Sequence, residues 1–203
     1  LGDVYKRQAQ TVTRFGLGFA PDTWDSLVRA MKALGYSEQE LFDGGLVRHG
    51  RSGGVYDTFR NRLMFPVIDV RGNVIGFSGR ILGDGEPKYM NSPETIVFSK
   101  SHNLFALNLA KKSKCGYIIL AEGNIDVASL HQAGFDSAVA SLGTSLTPEQ
   151  ARLLSRYTGE IVIAYDNDGA GQKASQRAIG ILEKLEVLSL IHISEPTRLG
   201  MIS

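Results

Sequence analysis

Apolar residues recur with two different periods along this chain, and the change of period divides it. From Pro21, the string PDTWDSLVRAMKALG sets Trp24, Leu27, Val28, Met31 and Leu34 at helical spacing, with Gly35 as a stop. Ser37 followed by Glu40 forms a capping box for a second short helix through Leu41 and Phe42. Beyond Gly54 the period falls to two. RLMFPVIDV and VIGFSGRIL flank RGN, which predicts a hairpin with a tight turn at Gly72-Asn73. Two turn-rich stretches, GDGEPK and NSPET, come next, and NLFALNLAKK predicts a helix over 103–112.

From Gly116 strands and helices alternate. GYIILAEG, SAVASLG and EIVIAYD read as buried strands. Between and after them, NIDVASLHQAG, TPEQARLLSRY and AGQKASQRAIGILEKL read as helices, the second with Thr147 as cap and Pro148 at its first position. This order predicts right-handed crossovers and a parallel sheet. The fold class is therefore α/β, a parallel sheet with crossover helices preceded by a smaller α+β subdomain.

Charge sharpens the division. The 203 residues carry a net charge of only +1. From Arg48 to Lys114, however, eleven Lys and Arg face five Asp and Glu, and from Cys115 to Val187 five face nine. A basic surface beside an acidic site is the expectation. Cys115 is the single cysteine, which excludes internal disulfides and Cys-rich zinc sites, and it is expected to open a strand as a packing residue. No apolar run approaches the ~20 residues of a membrane span, and no secretory signal is read at the start. A cytoplasmic protein is the simplest reading. The four histidines are scattered and receive no role.

The chemistry is expected where strands end. Glu122 closes the first strand of the alternating part, and Asp166 and Asp168 close the third. In a doubly wound sheet those two strands are neighbours, and ligands bind beyond their carboxyl ends. Converging carboxylates repel one another unless a cation lies between them. Magnesium, a hard ion that takes oxygen ligands and keeps water for substrate phosphates, is the natural candidate. Asp126 is a first-turn acid favoured by the helix dipole, or a support for the same site.

These residues carry a resemblance. EGNIDV at 122–127, ASLGTSLT at 140–147 and AYDNDGAGQKA at 164–174 resemble the Toprim domain. FRNRLMFPVIDVRGNVIGFSGR at 59–80 and PKYMNSPET at 87–95 are similar to the basic half of the bacterial DnaG-type primase core, and NLFALNLA at 103–110 to the segment joining the halves. The resemblance covers about residues 9–187. It implies a basic N-terminal subdomain at 9–114 and a truncated Toprim domain at 115–187. Residues 1–8 and 188–203 instead resemble translated sequencing-adapter read-through, although EVLSLIHIS has the composition of an edge strand.

The resemblance places the family's conserved glutamate on Glu122 and its paired aspartates on Asp166 and Asp168, as catalytic groups and ligands for Mg2+ or Mn2+. A further Asp-x-Asp pair of the family falls where this chain reads SEPTR. It also implies that Arg60, Arg62, Arg80, Lys88 and Asn91 contact nucleic acid or nucleotide, guanidinium forks suiting phosphate. Arg62, Arg80 and Lys88 are expected on one surface. The implied activity is synthesis of short RNA primers on a single-stranded DNA template from ribonucleoside triphosphates during replication. Zinc and the replicative helicase are met in the family through domains absent from this chain. Two alternatives stand beside this reading: another Toprim enzyme such as a topoisomerase or nuclease, and a non-catalytic single-strand-binding module.

Overall fold

A computed structural model describes residues 2–50, 53–143 and 145–191, without the side chains of 2–7 and 191. The chain forms two compact units, Leu1–Lys100 and Ser101–Ser203. Sequence alone sets the boundary at 114/115. The units part earlier because Phe105 already pairs with Ala140, amide to carbonyl at 2.9 Å, so this stretch is committed to the second unit.

In the first unit α1 (Gly2–Phe15) leads to β1 (Gly18–Ala20), α2 (Ser26–Ala33), α3 (Glu38–Asp43), β2 (Val47–His49) and β3 (Val55–Asp57). The strands β4 (Arg62–Ile68), β5 (Val74–Ile81) and β6 (Tyr89–Asn91) complete an antiparallel sheet of order β1-β4-β5-β6. The capping box forms as expected, with the Ser37 hydroxyl accepting from the Glu40 amide and Glu40 accepting from the Ser37 amide. Val28, Leu41 and Val47 make a small core against Met31, Leu46 and Val55. Phe65, Val67 and Phe98 are buried elsewhere in the unit.

Two local expectations change. The hairpin closes through a longer loop, in which the Asp69 carboxylate accepts from the amides of Arg71 and Asn73 at 2.8 and 2.9 Å. Those bonds organise residues 69–73 around the aspartate, with only Gly72 (φ +101°) in the left-handed region. Trp24 and Leu34, placed by spacing on an apolar helix face, are 66% and 73% exposed. Trp24 precedes Asp25, the residue at the helix's N-cap, so it is not on the helix face at all.

The second unit holds α4 (Leu107–Ala110), β7 (Ile118–Ala121), α5 (Asn124–Gln132), β8 (Ala138–Ala140), α6 (Pro148–Leu154), β9 (Glu160–Ala164), α7 (Gly169–Glu183) and β10 (Leu188–Ile191). Its sheet is parallel with order β10-β9-β7-β8, so the first and third strands are neighbours, as the crossover argument requires. Leu120, Val139, Ile161 and Ile163 are fully buried, which is why these runs are continuously apolar. The expected helix over 103–112 shrinks to four residues, because Ala106 has φ +65° and Phe105 is drawn into its bridge. Cys115 lies in the loop before β7, with its amide on the Ser113 hydroxyl. The strand-like tail segment does lie along the sheet edge, with Leu188 opposite Glu160 and Leu190 opposite Val162. SEPTR falls outside the described residues.

Candidate active site

Strand register carries Glu122 and Asp166 to one place. Ala121 pairs with Ala164, so Glu122 and Tyr165 leave the ends of β7 and β9 side by side. The Asp166 amide then donates to Glu122 Oε2 at 3.3 Å. Two residues on, Asp168 caps α7, its Oδ1 accepting from the amides of Ala170 at 2.9 Å and Gly171 at 2.7 Å. Both bonds fall on one oxygen. All three acids are exposed. Asp126 has a separate local duty, accepting from the Gly123 amide at 3.0 Å at the start of α5.

Gly171 is the residue that sequence reading passed over. A Cβ built there would lie 2.0 Å from the Asp166 carbonyl oxygen, a distance at which backbone must move. Gly171 thus lets α7 approach the Asp166 peptide while its own amide holds Asp168. The run DGAG at 168–171 is the only sequence signal of this, and it reads equally well as turn chemistry.

The electrostatics favour a cation. Although Glu122 as a residue is exposed, partial desolvation of its carboxyl pushes it above the ordinary glutamate range. The Asp166 amide opposes that shift, while the charges of Asp166, Asp168 and Asp126 add to it. Tyr165, buried beneath, has its phenol pushed up by burial and then by the Glu122 charge. Among the described residues no three His, Cys, Asp or Glu side chains are already gathered as a ligand set. The three-carboxylate cage implied by the resemblance is therefore not preassembled. The donor set still fits magnesium, which takes one or two carboxylates together with water and substrate phosphate rather than a closed protein cage.

The basic residues divide. Arg62 is 3% exposed, and its guanidinium donates to the carbonyls of Gly79, Pro87 and Lys88 at 3.3, 2.8 and 3.4 Å. Burial, then the charge of Arg60, lowers its pKa. This corrects the expectation that Arg62 reaches phosphate from a surface: its donors are committed inside the sheet. Arg80 and Lys88 do share one concavity of about 540 Å³, where Asp84 and Glu86 stand beside them. Arg80 lies 5.7 Å from the Tyr89 ring centre. Asn91 is half-buried in β6 opposite Ser78, and Ser92 is fully buried, its hydroxyl accepting from the Phe77 amide. Arg60 is stacked on aromatic rings, 4.2 Å from the centre of Trp24 and 5.1 Å from that of Tyr56.

Residues 5–111 match the family described as "DNA primase catalytic core, N-terminal domain", and residues 119–196 match "Toprim-like". A DNA primase of Clostridium acetobutylicum is 52% identical over 176 residues, covering 86% of this chain and 29% of its own length. The Escherichia coli primase catalytic core superposes with a TM-score of 0.85 at 37% identity, covering 97% of this chain and 65% of that one. A DnaG primase catalytic domain bound to single-stranded DNA superposes with a TM-score of 0.84 at 37% identity, covering 96% and 65%.

Proposed function

Because the chain belongs to the DnaG-type DNA primases, we propose that it carries part of the catalytic centre of a primase, which builds RNA primers on single-stranded DNA from ribonucleoside triphosphates. It spans 29% of the length of the Clostridium acetobutylicum relative, so the activity proposed is that of the whole enzyme. The observation that supports this most is the meeting of Glu122 and Asp166 at the carboxyl ends of neighbouring strands, with Asp168 two residues on.

Asp166 and Asp168 are assigned as ligands for Mg2+ or Mn2+. The bound ion supplies charge neutralisation of the triphosphate and polarisation of the α-phosphate. Glu122, whose Oε2 accepts from the Asp166 amide beside the assigned metal ligands, is assigned the proton released as a primer 3′-hydroxyl attacks that phosphate and pyrophosphate leaves. Arg80 and Lys88 are assigned to nucleotide or template phosphate. Arg60 and Asn91 belong to the same basic unit, with Arg60 in the aromatic stack. The replicative helicase would be met elsewhere in the longer enzyme, and the setting is the cytoplasm. No described helix is long and apolar enough to cross a membrane.

Template-dependent ribonucleotide incorporation tests this reading. The 203-residue chain, with SEPTR in place of a second aspartate pair, is expected to incorporate weakly. A whole relative carrying residues 9–187 of this chain in place of its own should incorporate well, and Asp166→Asn in that chimera should abolish it. Undiminished incorporation by the D166N chimera would overturn the assignment of the site.

A further inference from the structure

A buried donor beside the acids has no acceptor. Tyr165 follows β9 and is 6% exposed, and its hydroxyl has no hydrogen-bond partner among the described residues. Leaving such a group unpaired is costly, and phenylalanine would fill the same space without that cost. The hydroxyls of Thr58 and Ser137 are also buried and unpaired. Thr58 belongs to the first unit, however, and Ser137 stands at the amino end of β8, the far end of the sheet from the acids. Of the three, only the Tyr165 hydroxyl belongs to the carboxyl end. Register sets its neighbour. Ile118 pairs with Ile161 and Leu120 with Ile163, so Glu122 and Tyr165 leave β7 and β9 side by side on the same face. That neighbour is short of donors. The hydrogen bond that reaches Glu122 comes from the Asp166 amide to Oε2, at a long 3.3 Å, and the Glu122 charge is felt at the phenol.

We propose that Tyr165 is a positioning residue for Glu122, its hydroxyl donating to the Glu122 carboxylate while that carboxylate takes the proton of the attacking 3′-hydroxyl. A donor without an acceptor and a carboxylate with one long bond stand on the same face of adjacent strands, and each supplies what the other lacks. A general base works only when its oxygen is within hydrogen-bond reach of the proton it takes. A glutamate side chain has several rotamers, and one long bond to a backbone amide selects weakly among them. A second donor, fixed in the sheet and bonding to a charged oxygen, selects strongly. A phenol suits this task, because it turns about few torsions and remains a donor at neutral pH. Tyr165 keeps its own proton throughout. The proton that moves is the nucleophile's, and it goes to Glu122 as the new phosphate ester bond forms and pyrophosphate departs. The inference rests on the assignment of Glu122 as proton acceptor and deepens it by naming the residue that directs the base.

Tyr165→Phe removes the hydroxyl and keeps the ring. It is compared with Glu122→Gln in the whole-enzyme chimera carrying residues 9–187, by template-dependent ribonucleotide incorporation. Y165F should lower kcat about tenfold, the worth of one hydrogen bond to a charged group. The KM for ribonucleotide and the melting temperature should stay at the parent's values. In the 203-residue chain, Y165F should leave Mg2+ affinity by calorimetry unchanged, since the phenol is no ligand. A parent kcat in Y165F, with E122Q impaired, would overturn the positioning role and leave Glu122 as the base. A fall in kcat accompanied by a lower melting temperature, a raised KM or lost Mg2+ affinity would also overturn it, in favour of packing, substrate binding or the metal site. E122Q as active as the parent chimera, or a parent chimera that does not incorporate, would overturn the assignment of Glu122 and the inference with it.

Discussion

Arg62 and Glu122 are both charged residues inside sequence motifs of the same family, and the fold treats them in opposite ways. Arg62 is drawn into the first unit's sheet, where three carbonyls take its donors. Glu122, Asp166 and Asp168 are pushed out to strand ends, where one backbone amide reaches Glu122 and the neighbouring aspartate charges add to the upward shift of its pKa. The difference lies in the backbone. The buried Arg62 guanidinium meets the carbonyls of Gly79, Pro87 and Lys88 where the chain returns to the sheet, whereas the ends of parallel strands leave a crevice open to ligand. A charge in a motif therefore marks structure where the fold encloses it, and chemistry where the fold carries it to an open strand end.

The largest expected effect breaks the buried side of this comparison. Arg62→Met should cost about 3 kcal/mol of stability in urea unfolding, because it removes the bonds by which a buried side chain ties β4 to the Gly79, Pro87 and Lys88 carbonyls. A stable R62M chain with weakened DNA binding would show that the guanidinium works at the surface after all.

Gly171→Ala comes next. The added methyl meets the Asp166 carbonyl and should cost about 2 kcal/mol, and it should also reduce carboxylate-dependent Mg2+ affinity. Full metal affinity in G171A would mean that the close approach is incidental to the site. Glu122→Gln should change stability by no more than about 0.5 kcal/mol, in either direction, because the position is exposed and like charges surround it. A clear loss in E122Q by thermal melting would place Glu122 among the structural residues with Arg62.

The smallest effect is at Asp69. Hydrogen bonding, first from the Asn73 amide, holds its carboxyl below the ordinary aspartate range. A lowered folded-state pKa contributes stability above the unfolded value, near pH 4, that is lost as pH falls through the folded value. Asp69→Ala should remove that small acid-dependent component. Identical unfolding curves for parent and variant between pH 5 and pH 2 would show that the turn is held by other means.

The parallel sheet was legible because its strands are apolar throughout and separated by well-capped helices. From that alone, Glu122 and Asp166 could be brought together. Gly171 was not legible, since its necessity comes from a backbone approach between segments five residues apart. Nor was the burial of Arg62, which depends on where the turn-rich stretch around Pro87 returns to the sheet. The short α4 follows from a single bridge between Phe105 and Ala140, a long-range pairing that overrides local helical propensity. Trp24 fits a helical stripe by spacing, and only the cap at Asp25 shows that the stripe begins after it.

Mg2+ titration by calorimetry tests the central claim most directly, comparing the parent chain with an Asp166→Asn, Asp168→Asn double variant of matched melting temperature. The parent should give a saturable isotherm that the double variant lacks. Identical isotherms, or none from the parent, would contradict the carboxylate site.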